Sequence, residues 1–208
     1  MKLAMMLLVS TLATPLFSQT PALIPLKQAD LNVTDGSVAT SNGHLLVDAP
    51  EMRAILRVQG TRLIEVPFTY VGPTEAKSKL ADGSVRRQFG LKLNAQDACN
   101  VVYVMWRISP KSDLVVSMKH NPGMHSSSQC RDGGYRNLKP AKWAPVPELQ
   151  AGSSHILRAE IHKQDLQVSV DGELTWEGSI PSEAMPFDGP SGLRSDNVRV
   201  QFDMLVAR

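Results

Sequence analysis

The sequence is poorest in the features that would assign it a chemistry at sight. It has only two cysteines, Cys99 and Cys130, and they do not form a Cys-x-x-Cys pair, which argues against redox catalysis. Basic residues (22 Lys and Arg) nearly balance acidic ones (20 Asp and Glu) and are scattered. No long Lys/Arg cluster therefore points to nucleic acid or an anionic membrane. No internal repeat and no low-complexity linker breaks the chain, and apolar stripes of helical period are hard to find beyond the first residues. No apolar run reaches the roughly 20 residues that a membrane-spanning helix needs.

What is present begins with "MKLAMMLLVSTLATPLFSQT". Lys2 supplies a positive start, and Leu3 to Ala13 form a short apolar core interrupted at Ser10 and Thr11. Small and polar residues follow at Ser18 to Thr20. This order predicts a secretory signal at residues 1–18 and a secreted or periplasmic mature chain without a transmembrane segment. Removal leaves about 190 residues, enough for one domain, 19–208, with a substantial core. In an exported chain, Cys99 and Cys130 are expected to form a disulfide.

Period-two alternation dominates the rest. In "HILRAEIHKQDLQVSVDGELTWEG", Leu157, Ala159 and Ile161 share a face, as do Leu166, Val168 and Val170. Asp171-Gly172 then reverses the chain, and Leu174 and Trp176 resume the pattern, which is a strong hairpin signal. "VRVQFDMLV" aligns Val198, Val200, Phe202 and Met204; "RQFGLKLNA" aligns Phe89, Leu91 and Leu93. "NVVYVMWRI" is apolar on both faces, as a central strand covered on each side or lining a groove would be. "LNVTDGSVATSNGHLLV" reads as an N-terminal hairpin. "KPAKWAPVPELQAG" (139–152) reads as an ordered loop crossing the fold. Many short strands separated by Gly, Asp, Asn and Pro predict an all-β antiparallel sandwich or barrel.

The C-terminal third adds a recognisable order: the "V-x-V-D-G" hairpin, a Gly-x-x-Gly-Leu turn at "GPSGL", then the strand "DNVRVQFD". This resembles the closing half of laminin G-like and concanavalin A-like lectin/glucanase domains, and "LNVTDGSV" is similar to the way those domains begin. The resemblance implies a two-sheet jelly-roll β-sandwich. Its motifs are structural and say little about a ligand.

Each candidate site has its own chemical requirement. A retaining glycosidase needs two carboxylates about 5–5.5 Å apart. Glu148, Glu160, Glu173, Glu177 and Glu183 are dispersed, and only Glu173 and Glu177 could share a face. No Gly-x-Ser-x-Gly elbow accompanies Ser126 to Ser128. "KHNPGMHSSSQC" (119–130) holds His120, His125 and Cys130, with Asp132 nearby, but their spacing matches no compact zinc pattern. The stretch is better read as a polar loop tied back to Cys99. No cofactor is expected. A structural calcium, as lectin-like sandwiches bind, would have to draw on Asp97, Asp132, Asp188 and Asp196, which form no Asp-x-Asp-x-Asp loop.

Carbohydrate recognition pairs an aromatic face with side chains that hydrogen-bond hydroxyls. Tyr103, Arg107, Lys119, His120, Asn121, Tyr135, Arg136 and Trp143 supply that mixture and are the expected ligand-binding residues. Alternation puts Tyr103 and Arg107 on one face of their strand and turns Trp106 into the core. The reading is a non-catalytic binding protein for a glycan or another extracellular ligand. A glycan-active hydrolase on the same scaffold, or a structural or adhesive module of the cell envelope, are the alternatives.

Overall fold

The computed structural model describes residues 22–80, 82–184 and 187–207. The expected signal, 1–18, lies outside them. The strands in chain order are β1 (Ile24–Pro25), β2 (Leu31–Asp35), β3 (Ala39–Ser41), β4 (His44–Leu56) and β5 (Leu63–Pro73). Next come β6 (Arg87–Leu93), β7 (Val101–Ser109), β8 (Asp113–Lys119), β9 (Tyr135–Asn137) and β10 (Lys142–Trp143). The last are β11 (Ser154–His162), β12 (Asp165–Val170), β13 (Glu173–Ser179), β14 (Gly192–Phe202) and β15 (Leu205–Ala207). A single four-residue α-helix, α1 (Ser127–Cys130), interrupts them among the described residues.

β14 organises the fold. It pairs with β4 along nearly its whole length, from Gly192 opposite Ile55 to Phe202 opposite Leu45. On its other side Gly192 to Asp196 pair with β6, whereas Val198 to Phe202 pair with β5. The partner changes at Asn197, which sits at φ 56°, the left-handed region that asparagine tolerates better than most residues. From this point two arms diverge, β6-β7-β8-β9 and β5-β11-β12-β13-β10. They face each other across the core: the Phe68 ring of β5 lies 5.1 Å from Phe89 of β6 and 5.6 Å from Trp106 of β7. The result is an antiparallel jelly-roll sandwich.

The aligned residues meet in that core. Phe89, Leu91, Leu93, Val198, Val200, Phe202 and Met204 are all buried, as are Leu157, Leu166 and Val168. Each large apolar side chain so buried contributes on the order of 1.5–3 kcal/mol. Trp106 joins them, as its alternation with Tyr103 predicts.

The Asp171-Gly172 hairpin forms, with both residues at positive φ (53° and 86°), as a two-residue turn of this hand requires. One detail departs from simple alternation. A bulge shifts the β12–β13 register between Val168 and Ser169, so Val168 faces Trp176 and Ser169 faces Leu174. Trp176 is buried, while Leu174 is 41% exposed rather than beside it. The N-terminal hairpin also closes one strand later than its sequence suggests: β3 pairs with β4 through Asn42-Gly43, and β2 pairs with the far half of β4. Asp196 and Asn197 lie in the middle of β14 rather than at its start.

Candidate functional site

The residues of β6, β7 and β8 that do not enter the core form the floor of a groove. Register sets its rows. Lys92 lies opposite Tyr103, which lies opposite Ser117 and then Asn137. Two rows along, Asp196 of β14 lies opposite Gln88, which faces Arg107 and then Asp113. Between them Arg194 lies opposite Arg53 on one side and Gly90 on the other. A side chain at Gly90 would place its Cβ 2.1 Å from the Val104 carbonyl oxygen, so glycine is required for this strand spacing.

At the centre two tyrosines stack, Tyr103 and Tyr135, with ring centroids 6.0 Å apart and planes inclined by 28°. Cations cover both. Arg194 Cζ lies 5.1 Å from the Tyr103 centroid, and Lys119 Nζ lies 5.1 Å from that of Tyr135. Arg194 Nη1 also donates to Tyr135 Oη at 3.2 Å. Burial, and then the neighbouring Tyr135, pushes the Tyr103 phenol up, which keeps it neutral. Tyr135 is 44% exposed and offers its ring to solvent.

Beneath the floor Asp196 is fully buried. It accepts from Arg53 Nη2 (2.6 Å), Gln88 Nε2 (2.6 Å) and Arg194 Nε (2.9 Å). Burial alone would raise its pKa, but the charges of Arg194 and Arg53 outweigh that and hold it below the ordinary carboxylate value. Two adjoining cavities open above the floor. One, of about 290 Å³, is lined by Gln88, Met105, Arg107, Val115, Ser117 and Asn137. The other, of about 770 Å³, is lined by Arg53, Lys92, Lys119 and Arg131. Tyr103, Tyr135 and Arg194 border both.

One rim of the groove is built from the stretch between Lys119 and Cys130 together with the turn at Arg131 and Asp132. Cys99 and Cys130 are joined by a disulfide. Asp97 gathers the same loops: it accepts from the amides of Cys99 (2.7 Å) and Asn100 (2.8 Å) and pairs with His125 Nδ1 (2.8 Å). Asn121 Nδ2 donates to the carbonyls of Cys99 and Gly133. The tied loop presents Ser127, Arg131 and Asp132 to the larger cavity. Cys130 is thus engaged by Cys99 and His125 by Asp97, and neither is assembled into a metal set. Among the described residues, no group of three or more His, Cys, Asp and Glu side chains could hold an ion. Asp97 and Asp196, two of the four carboxylates on which a calcium site would draw, are spent on nitrogen donors.

Of the eight expected ligand-binding residues, the structure brings Tyr103, Arg107, Lys119 and Tyr135 together in this groove. It does not bring the others. Asn121 braces the rim, and His120 packs 5.5 Å from the Phe187 ring. Arg136 lies opposite Met118, a core residue, and so projects from the other face of β9, where it pairs with Glu183. Trp143, 55% exposed, stands opposite Trp176 at the far edge of the second arm. Glu173 and Glu177 belong to that arm too, and Glu177 pairs with Lys142 at 3.2 Å. Sequence reasoning missed Arg53, Gln88, Lys92 and Arg194. Lys92 carried a signal, a lysine inside the apolar alternation of "RQFGLKL"; the others became visible only through strand pairing.

The curled antiparallel sandwich has the concanavalin A-like jelly-roll fold. No family model matches the sequence, and no curated protein does either. Solved structures do match. A carbohydrate-binding module, CBM66 from Bacillus subtilis, superposes with a TM-score of 0.56 at 14% identity, covering 83% of this chain and 91% of that one. LamA from Z. galactanivorans, solved with laminaritriose and laminaritetraose, gives 0.53 at 12% identity over 90% and 95% of the two chains. The Emp46p carbohydrate recognition domain gives 0.52 at 10% identity over 86% and 88%. At these identities the likeness is one of fold.

Proposed function

We propose that this is an exported carbohydrate-binding protein, non-catalytic, in which residues 19–208 form one binding domain once the N-terminal signal is removed. The observation that carries the reading is the stacked Tyr103–Tyr135 pair in the groove, surrounded by Arg194, Arg107, Gln88, Ser117 and Asn137. A pyranose ring can lay its apolar face on the exposed Tyr135 ring, while guanidinium, amide and hydroxyl groups reach its hydroxyls. The solved structures that share the fold include a carbohydrate-binding module and a carbohydrate recognition domain, which favours the same ligand class.

Two carboxylates of the groove, Asp82 on the lining of the smaller cavity and Asp196 beneath the floor, lack the raised pKa of a general acid. Asp82 is held below its ordinary value by the Ser84 hydroxyl and amide, so it rests ionised, whereas a glycosidase's general acid needs a raised pKa. Asp196 is likewise held low and is enclosed by its three donors. The test is titration calorimetry of the purified protein against a panel of oligosaccharides, with reducing-end release measured on the same panel. Tyr135→Ala should weaken the best ligand about tenfold or more, equivalent to about 1.4 kcal/mol, while the fold persists because the side chain is partly exposed. Unchanged affinity in that variant would sink the groove assignment, and steady release of reducing ends would sink the non-catalytic reading.

A further inference from the structure

The larger cavity is strongly cationic. Arg53, Lys79, Lys92, Lys119, Arg131 and Arg194 line it against only three carboxylates, Asp35, Glu51 and Asp132. Lys92 is the telling residue. It is only 6% exposed, yet among the described residues its ammonium makes no ion pair and no hydrogen bond. The one fully buried carboxylate nearby, Asp196, is already committed to Arg53, Gln88 and Arg194. Burial lowers the Lys92 pKa to about 8, and the charges of Arg53 and Arg194 push in the same direction. At neutral pH the group still carries its proton, so the cavity is faced by an ammonium that the protein leaves unpaired, beside two guanidinium groups.

Lys119 stands on the same floor, 3% exposed, with its Nζ donating to the Arg131 carbonyl at 2.7 Å. Arg194 gives Nε to Asp196 and Nη1 to Tyr135, an arrangement that fixes its guanidinium plane over Tyr103. The tyrosine stack that would seat a sugar ring therefore lies beside a rigid, positively charged recess. A neutral sugar would leave the charge of Lys92 uncompensated; a ligand anion would pair it.

We propose that this groove selects acidic glycans, with a carboxylate or sulfate of the sugar seated against Lys92, between Arg194 and Lys119. The proposal rests on the groove being a glycan site, and it names the ligand class. The shared chemistry is a singly charged oxyanion on a pyranose.

Calorimetry with three probes separates the possibilities: oligogalacturonate for carboxylate, a sulfated galactan oligosaccharide for sulfate, and laminari-oligosaccharide as the neutral control. At least one acidic probe should bind tenfold or more tightly than the neutral one, and which one does so identifies the anion. Lys92→Met should weaken that acidic ligand tenfold or more and weaken a neutral ligand by a smaller factor. The same variant should melt no lower than the parent, because the ammonium it removes makes no ion pair and no hydrogen bond within the protein, so the loss of binding cannot be put down to misfolding. Equal binding of neutral and acidic probes, insensitive to Lys92→Met, would overturn the acidic selectivity while keeping the glycan groove. Binding of no probe, with Tyr135→Ala equally inert, would overturn the groove reading and the selectivity together.

Discussion

Asp196→Ala should cost the folded protein about 3–5 kcal/mol, measured as a drop in the urea unfolding free energy at neutral pH. The carboxylate is 0% exposed and compensates two guanidinium groups, those of Arg53 and Arg194, whose side chains are 18% and 10% exposed. Removing it leaves the Gln88 amide without its acceptor, Arg194 with only the Tyr135 hydroxyl, and Arg53 with two backbone carbonyls and Glu51 at 3.8 Å. The floor would open around Tyr103, and ligand binding should fall with stability. A loss under about 1 kcal/mol would show that the network is not the keystone of this sheet. Its pH dependence has a definite sign. The folded-state carboxyl titrates below its ordinary value of 3.8, so its contribution is present above that pH and is lost as pH falls through the folded value. Acid unfolding should therefore set in below about pH 4, and Asp196→Asn, already destabilised, should lose part of that acid sensitivity.

The second large effect is expected at the rim. Cys99 and Cys130 are 31 residues apart, and closing a loop of that length should stabilise the fold by about 3–4 kcal/mol through the unfolded chain. The paired Cys99→Ser, Cys130→Ser variant should unfold at correspondingly lower urea concentration. The Asp97 cluster would still hold the same loops, since it binds the backbone amides of Cys99 and Asn100, which the substitutions leave in place. Ligand affinity should accordingly fall by less than stability does. A variant as stable as the parent would show that the loop closure contributes little beyond Asp97.

These expectations trace back unequally to sequence and structure. The core was legible because strand period is local: Phe89, Leu91 and Leu93, or Val198, Val200 and Phe202, need only their own alternation to declare a buried face. Tyr103 and Arg107 were legible for the same reason, as the opposite face of a strand whose Trp106 had to be inside. Alternation failed only where backbone irregularity intervened, at the bulge that turns Leu174 outward. The groove was less legible. His120, Asn121 and Arg136 are close in sequence to Lys119 and Tyr135, but one strand step reverses a side chain's direction and one loop turn removes it from the floor.

By itself, then, the sequence determined the all-β class, the alternation that builds the core, the Asp171-Gly172 hairpin, and the face on which Tyr103 and Arg107 lie. These follow from interactions between near neighbours and from the burial of apolar side chains. Only the tertiary structure decided that Arg53, Lys92 and Arg194 meet beside Tyr103. They come from β4, β6 and β14, and their meeting depends on strand registers set across more than a hundred residues, which no local pattern encodes. The unpaired charge of Lys92 belongs to that second category, because whether a lysine finds an anionic partner is decided by what the folded chain places around it.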